Sequence, residues 1–331
     1  MEFERQLELI HLQITGNCNL RCYFCGQWGH EGFFSRAAGT PLSREEWFGF
    51  MERLAEMYAS AAQKPSVIFW GGEPLCCAFF DEAADYLHGQ GFPLGLITNG
   101  SLLERHAAVC DRCFCKIYLS VDGPQGIHDK IRGEGIFEKV RRGRERLSSC
   151  QITVMSVLTE QTEDNIQELA DALSVFRPDE VILQQQIGLS RREIDRYKSW
   201  MREVFGEEAL YIDSWKWADE EAEKIKRQRE RVEKQVKTVS ASFPIRFLPH
   251  LDSGNPKRCL SPCRHIHVAW NGDLLYCTDF YDFTAGNIRQ TAWEDIFCNE
   301  KSDLFLQEVQ AGRCVTCNHC SWRHSESFGL A

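Results

Sequence analysis

Short apolar runs alternate with helical patterns along the first 186 residues of the chain. Ser43 and Glu46 have the spacing of a capping box and predict where one of the helices begins. The repeated strand-helix order predicts an α/β fold whose parallel strands curl into a partial (β/α)6 barrel, with a doubly wound open sheet as the alternative. The predicted strands cover residues 9–15, 66–71, 93–99, 116–123, 152–159 and 180–186.

The pattern changes after residue 189. Two helices rich in charge and tryptophan are followed by a cysteine-rich tail, in which the stretch "HVAWNGDLLYC" predicts a β-hairpin that turns at Asn271-Gly272. We therefore expect three parts: a barrel at 1–189, a helical bridge at 190–254 and a small C-terminal domain at 255–331 that contains the hairpin.

Composition and charge exclude some classes of protein. The 331 residues carry a formal net charge of -10, which disfavours a nucleic-acid partner. Basic residues between 224 and 237 are interleaved with glutamates, so a solvated helix face is the simpler interpretation of that segment than a transfer-RNA site. The N-terminal residues lack the pattern of a signal peptide, and no stretch approaches the length of a membrane span. We expect a cytoplasmic protein without membrane contact.

The chain contains 16 cysteines, and their spacing indicates metal or redox chemistry because disulfides are rare in a reducing compartment. Cys18, Cys22 and Cys25 lie within eight positions. Six more occur in the last quarter of the chain: Cys259, Cys263, Cys277, Cys314, Cys317 and Cys320. The other seven have no repeated ligand spacing and are expected to be buried small hydrophobes.

Three thiolates on one loop suit a particular kind of iron-sulfur cluster. A structural zinc site closes its tetrahedron with four protein ligands, whereas a cuboidal cluster held by three cysteines leaves one iron open for chemistry. A zinc loop completed by a ligand from elsewhere in the chain is the alternative for Cys18, Cys22 and Cys25.

This C-x3-C-x2-C loop after the first strand resembles the signature of the radical S-adenosylmethionine enzymes. The resemblance implies a [4Fe-4S] cluster with one open iron, which chelates S-adenosylmethionine and cleaves it to a 5'-deoxyadenosyl radical. It also implies a set of cofactor-binding residues at the C-terminal ends of the strands, the face on which β/α barrels build active sites. These are Phe24 beside the adenine, Gly71, Gly72, Glu73 and Pro74 at the amino group, Thr98 and Asn99, Ser120 and Asp122 at the ribose, and Arg132 at the carboxylate.

The C-terminal cysteines resemble the SPASM or twitch extension of radical enzymes. That likeness implies one auxiliary [4Fe-4S] cluster, ligated by Cys263, Cys277, Cys314 and Cys317. The match departs from the full seven-cysteine pattern, which leaves Cys259 and Cys320 as substitute ligands or as free thiols. In an epimerase a free thiol would be catalytic, because it would donate hydrogen to the substrate radical. A zinc ribbon is the alternative for this domain.

The resemblance leaves the reaction after hydrogen abstraction open. The first hypothesis is oxidation, crosslinking or epimerisation of a ribosomal peptide, with a flavodoxin or ferredoxin as electron donor. The short segment before the first strand leads us to expect any leader-peptide recognition from a separate protein. The second hypothesis is a dehydrogenase or epimerase acting on a small molecule such as an aminosugar or alcohol. A non-catalytic electron-transfer or zinc-ribbon adaptor is the alternative from another class.

Overall fold

One ten-stranded sheet forms the centre of the computed structural model. The structure describes residues 7–29, 32–35, 39–216, 219–249, 264–278, 281–290, 295, 299–314 and 316–319. The strands are β1 (Leu9–Thr15), β2 (Ser66–Gly71), β3 (Leu94–Thr98), β4 (Lys116–Ser120), β5 (Gln151–Leu158), β6 (Glu180–Gln185), β7 (Ile245–Leu248), β8 (His265–Val268), β9 (Asp273–Leu275) and β10 (Thr284–Asn287). Their spatial order is β10-β9-β8-β1-β2-β3-β4-β5-β6-β7. Strands β1 to β6 are parallel neighbours in chain order, and the partial-barrel prediction is confirmed.

Helices connect these strands and cover one face of the sheet. They are α1 (Arg44–Met57), α2 (Phe80–Gly89), α3 (Leu103–Cys113), α4 (Gln125–Arg132), α5 (Ile136–Glu145), α6 (Ile166–Leu173), α7 (Arg191–Phe205), α8 (Asp219–Val236) and α9 (Glu300–Gln310). The expected capping box is present at α1. The Ser43 side chain accepts from the Glu46 backbone N–H, and the Glu46 carboxylate accepts from the Ser43 backbone N–H. Among the described residues, no helix has the length and apolar character needed to cross a membrane.

Successive side chains of β1 point alternately to the two faces of the sheet. Ile10 and Leu12 join the large core that contains Trp47 of α1. Leu9 packs on the opposite, inner face with Ile68 of β2. This is the period of two expected of strands, and it directs His11 and Gln13 towards the inside of the barrel.

The predicted hairpin joins the barrel sheet directly. Strand β8 pairs in parallel with β1, and β9 returns antiparallel to β8. Between them, Gly272 has a φ of 90° and donates its N–H to the carbonyl of Ala269 at 2.9 Å, so the turn lies where the Asn-Gly pair predicted it. At the other edge, β7 pairs in parallel with β6 and extends the barrel by a further strand.

Candidate active site

The cysteine loop follows β1 at the C-terminal edge of the sheet. Cys22 is buried, and Cys18 and Cys25 are half-buried. Backbone N–H groups approach two of the sulfurs: Leu20 N–H lies 3.4 Å from the Cys18 Sγ, and Trp28 N–H lies 3.4 Å from the Cys25 Sγ. Donors aimed at sulfur stabilise thiolates, so the loop is suited to bind metal through these cysteines.

Gly71 and Gly72 seat the cysteine loop against the end of β2. The Gly72 N–H donates to the Thr15 carbonyl at 3.1 Å, and the Glu73 N–H donates to the Asn17 carbonyl at 2.8 Å. A Cβ at position 72 would lie 2.2 Å from the Asn17 carbonyl oxygen, and Gly71 has a φ of 139°. Only glycine allows this close approach, because any side chain would push the cysteine loop away.

The Glu73 carboxylate ties the end of β2 to the end of β3. One oxygen accepts from the Thr98 hydroxyl at 2.7 Å and from the Leu75 N–H at 3.1 Å, and the other accepts from the Asn99 N–H at 2.7 Å. The side chain is completely buried, and burial raises its pKa although the three donors oppose that effect. Pro74, also buried, begins the turn that follows.

Asn99 connects this network to the cysteine loop. Its amide nitrogen donates to the Asn19 side-chain oxygen at 3.1 Å and lies 3.9 Å from the Cys18 Sγ. Its side-chain oxygen accepts from the Ser101 backbone N–H at 2.9 Å. Asn19 and Ser101 were absent from the predicted site, since a lone asparagine or serine in a loop carries no spacing signal.

Asp122 and Arg132 form a buried ion pair beside the same loop. The Arg132 Nε donates to one Asp122 oxygen at 2.6 Å, and the Val157 N–H donates to the other at 3.0 Å. The Arg132 side chain is 9% exposed, and the Asp122 side chain is completely buried. Burial raises the pKa of the Cys22 thiol, and the positive charge of Arg132 opposes that increase, so the guanidinium lies within electrostatic reach of the cluster cysteines.

The remaining predicted residues lie around this centre. Ser120 ends β4 and is half-buried. Phe24 is half-buried against the large core, with its ring 5.3 Å from the more exposed Tyr23. The ring of Trp215 lies against Gly26, directly after Cys25, where a Cβ would be 2.4 Å from the indole. A tryptophan from beyond β6 therefore helps to hold the cysteine loop.

The three cysteines of the loop suit one kind of metal centre better than another. Burial raises the pKa of the Cys18 thiol to about 12, a cost that a bound cationic iron would offset by stabilising the thiolate. Among the described residues, no three histidine, cysteine or acidic side chains converge on one metal-ion position. A cuboidal cluster does not need that convergence because each cysteine binds a different iron. The residues present fit such a cluster.

A second group of cysteines lines a separate pocket. Cys277 follows the hairpin, and Cys314 and Cys317 follow α9. Cys263 and the two candidate thiols, Cys259 and Cys320, lie outside the described residues. The pocket is lined by Tyr197, Trp200, Tyr276, Cys277, Phe283, Phe305, Cys314, Thr316 and Cys317.

Aromatic packing and two buried hydrogen bonds build the walls of this pocket. The rings of Phe283 and Phe305 stack at 4.2 Å. The Tyr276 hydroxyl donates to the Ser302 Oγ at 2.9 Å, and the Trp200 indole N–H donates to the Glu308 carboxylate at 3.1 Å. A hydrogen bond from Cys317 lowers the pKa of the Cys314 thiol to about 7 although burial opposes it, so these two sulfurs already face each other. The aromatic wall was not predicted, because its residues come from separate parts of the chain.

Comparison with protein families assigns the two regions to different domain types. The family model described as the Radical SAM superfamily matches residues 12–173, and the SPASM model, described as an iron-sulfur cluster-binding domain, matches residues 259–321. A curated relative, the AdoMet-dependent heme synthase of Oleidesulfovibrio alaskensis, is 24% identical over 98% of this chain and 84% of its own length.

Solved structures of similar fold contain S-adenosylmethionine and peptides. SuiB of Streptococcus suis, bound to its precursor peptide SuiA, has a TM-score of 0.60 at 14% identity over 96% of this chain and 71% of that chain. The anSMEcpe structure with bound AdoMet and the Cp18Cys peptide has a TM-score of 0.59 at 16% identity over 96% and 88%. The chain belongs to the radical S-adenosylmethionine superfamily with a SPASM-type iron-sulfur domain, and its cofactors are [4Fe-4S] clusters and S-adenosylmethionine.

Proposed function

We propose that this enzyme is an oxidoreductase that removes a hydrogen atom from a ribosomal peptide, in oxidation, crosslinking or epimerisation. The observation that carries the proposal is the cysteine loop seated on Gly71 and Gly72, with the Glu73 network and the Asp122–Arg132 pair at the same edge of the sheet. When bound, the cluster and S-adenosylmethionine supply the 5'-deoxyadenosyl radical.

In this proposal the polar network positions the cofactor. Cys18, Cys22 and Cys25 hold the first cluster and leave one iron open. The C-terminal end of β2, from Gly71 to Pro74, and that of β3, at Thr98 and Asn99, would receive the methionine amino group. The carboxylate of Glu73 would supply negative charge there. Phe24 would pack against the adenine.

Two further residues bind the other polar ends of S-adenosylmethionine. Arg132 binds the methionine carboxylate, because a buried guanidinium has donors beyond the Nε–H that it gives to Asp122. Ser120 contacts the ribose. The Asp122 oxygens already accept from Arg132 and Val157, so we assign Asp122 the role of orienting Arg132 as well as any contact with the ribose.

Cys263, Cys277, Cys314 and Cys317 are the proposed ligands of one auxiliary cluster. Cys277, Cys314 and Cys317 line one pocket, which supports three of the four ligands. Aromatic side chains form most of the walls of that pocket, and such walls would protect a radical intermediate and a reduced cluster by keeping water out. Cys259 and Cys320 stay candidates for a substitute ligand or for a catalytic thiol.

The substrate class is inferred from the solved structures. Both neighbouring structures contain a bound peptide, which supports a peptide substrate here. One relative is named as a heme synthase, and heme is not a peptide, so the small-molecule dehydrogenase or epimerase is the second candidate. For either substrate, a flavodoxin or ferredoxin in the cytoplasm would supply electrons, and a separate leader-binding protein would assist a peptide.

The test is an anaerobic assay of the iron-reconstituted protein with dithionite and S-adenosylmethionine in deuterated water. Peptide and small-molecule fractions of host extract are added separately, and 5'-deoxyadenosine is measured by mass spectrometry. We expect 5'-deoxyadenosine to rise with a peptide fraction. The modified peptide loses hydrogen in an oxidation and gains one deuterium in an epimerisation.

Two variants control this assay. Replacing Cys18, Cys22 and Cys25 with alanine should abolish 5'-deoxyadenosine formation, whereas replacing Cys76, Cys115 and Cys150, which lie outside both cysteine groups, should preserve it. A rise with the small-molecule fraction alone would replace the peptide by the second candidate. Absence of 5'-deoxyadenosine in every reaction of an iron-loaded protein would favour the electron-transfer adaptor. Alkylation of the loaded protein, mapped by mass spectrometry, shows whether Cys259 and Cys320 are unligated.

A further inference from the structure

An arginine-lined cleft lies on the outer side of α7. Its volume is about 600 Å³, and it is lined by Arg191, Arg192, Asp195, Arg196, Ser199, Trp200, Glu203 and Arg313. Arg192 and Arg196 are one helical turn apart, so both side chains lie on the same face of α7. Arg313 contributes from the segment that leads into Cys314. We call this surface the arginine cleft.

The arginine cleft contrasts with the charge of the whole chain. Its lining contains four arginines and two acidic residues, whereas the protein has a formal net charge of -10. Arg192 and Arg196 are exposed, and within the described part of the chain neither forms an ion pair. By comparison, Arg202 of the same helix lies 3.7 Å from Glu208. Arg192 and Arg196 therefore carry positive charge that the described residues leave available to a partner.

One tryptophan separates the arginine cleft from the auxiliary cysteines. Trp200 lines both the cleft and the pocket that contains Cys277, Cys314 and Cys317. Its indole N–H donates to Glu308, and the same carboxylate accepts from the Arg313 Nε at 2.9 Å. A partner in the cleft would lie against the wall of the cysteine pocket.

We propose that the arginine cleft docks an acidic electron-carrier protein beside the auxiliary cluster. This inference depends on the proposed ligands of that cluster and adds the partner's docking surface. Two observations favour a redox protein over an acidic peptide segment. The shared wall at Trp200 places the partner next to the cysteines, and the exposed Arg192 and Arg196 attract a negatively charged protein that the net charge of -10 otherwise disfavours.

The experiment measures binding of an acidic recombinant flavodoxin to the cluster-loaded full chain under anaerobic conditions. Binding is followed by fluorescence anisotropy of labelled flavodoxin at low and at high salt. The test variant is Arg192→Glu with Arg196→Glu, and it is expected to raise the Kd at least about tenfold at low salt and to flatten the salt dependence.

The matched control is Arg53→Glu with Arg105→Glu. Both are exposed helix arginines that form no ion pair with the described residues, and the variant changes the net charge equally. The proposal requires the control to bind flavodoxin as the wild type does. It is overturned if both variants weaken binding alike, or if a labelled glutamate-rich peptide binds the cleft more tightly than flavodoxin does.

A second measurement separates this inference from the proposed function. With dithionite as reductant, the test variant should form 5'-deoxyadenosine at the wild-type rate, because dithionite does not require a docking surface. If that rate falls together with flavodoxin binding, the arginines act on the enzyme itself and the docking proposal fails.

Discussion

The two cysteine regions of this chain have opposite kinds of neighbours. Around Cys18, Cys22 and Cys25 the structure places charged and polar side chains, among them the Glu73 network and the Asp122–Arg132 pair. Around Cys277, Cys314 and Cys317 it places mainly aromatic rings. The polar region suits a centre that must receive a zwitterionic cofactor, whereas the aromatic region suits a centre enclosed by protein.

The difference shows how each region is stabilised. We call the barrel region that carries Cys18, Cys22 and Cys25 the barrel side. Buried charges there depend on their partners, because an unpaired buried charge is far more costly than a pair. The region around Cys277, Cys314 and Cys317 is the aromatic side, and its stability depends on the packed area of its rings and on single hydrogen bonds. Four measurements test this contrast, beginning with the largest expected effect.

Arg132→Leu should reduce the free energy of unfolding by about 3–5 kcal/mol, because it leaves the Asp122 carboxylate buried without its ionic partner. Anaerobic urea unfolding measures the change. The control is Arg112→Leu, which breaks an ion pair with Asp85 whose side chains are 55% and 50% exposed and should cost under about 1 kcal/mol. Equal costs for the two variants would show that the barrel side does not depend on its buried pair.

The barrel side should lose stability in acid through His11. Burial lowers the pKa of His11 to about 3, while the unfolded chain takes up the proton near its ordinary value of 6.5. The unfolding free energy therefore falls as the pH drops below about 6.5, by about 3 kcal/mol at about pH 4. In urea titrations across this range, His11→Gln should show a correspondingly shallower loss. An unchanged pH slope in that variant would contradict the assignment.

Asp282 lies on the loop beside the aromatic side. It should change the unfolding free energy with pH in the direction opposite to His11. Burial raises its pKa to about 6 from the ordinary value of 3.8, so the folded state holds a proton that the unfolded state has lost. Stability from this group is present at low pH and is lost as the pH rises, by about 2 kcal/mol between about pH 4.5 and 6.5. Asp282→Asn should remove this component. The contrast with His11 fails if both variants change the pH profile in the same direction.

Tyr276→Phe gives the smallest expected effect. It removes the hydroxyl that donates to Ser302 but keeps the ring against Phe283 and Phe305, so it should cost about 1 kcal/mol in urea unfolding. Iron content should stay at the wild-type level. A loss of several kcal/mol would mean that the aromatic side depends on its polar bonds as strongly as the barrel side does.

Local sequence patterns predicted most of the secondary structure. Each of the six apolar runs became a strand within about two residues of its expected bounds, except that β4 ends at Ser120, before the expected residue 123. The capping box at Ser43 and the turn at Asn271-Gly272 were also predicted, since both depend on residues that are neighbours in sequence.

The functions of individual site residues were less accessible from the sequence. Gly71 and Gly72 were expected at the cofactor, and the structure shows that they also make room for the backbone before Cys18. Asp122 was expected at the ribose, and the structure pairs it with Arg132. A motif identifies a residue type at a strand end, but the partner of a buried polar group depends on which other strand ends lie beside it.

The sequence by itself determined the order of strands and helices, the cysteine spacings and the strand ends that carry the motifs, because periodicity, caps and turns act over a few residues. Tertiary structure alone decided that Trp215 packs on the cysteine loop, that Trp200 separates the arginine cleft from Cys277, Cys314 and Cys317, and that the hairpin extends the barrel sheet through β1. These contacts join segments far apart in the chain, and their energy comes from burial and shape, which no local pattern encodes.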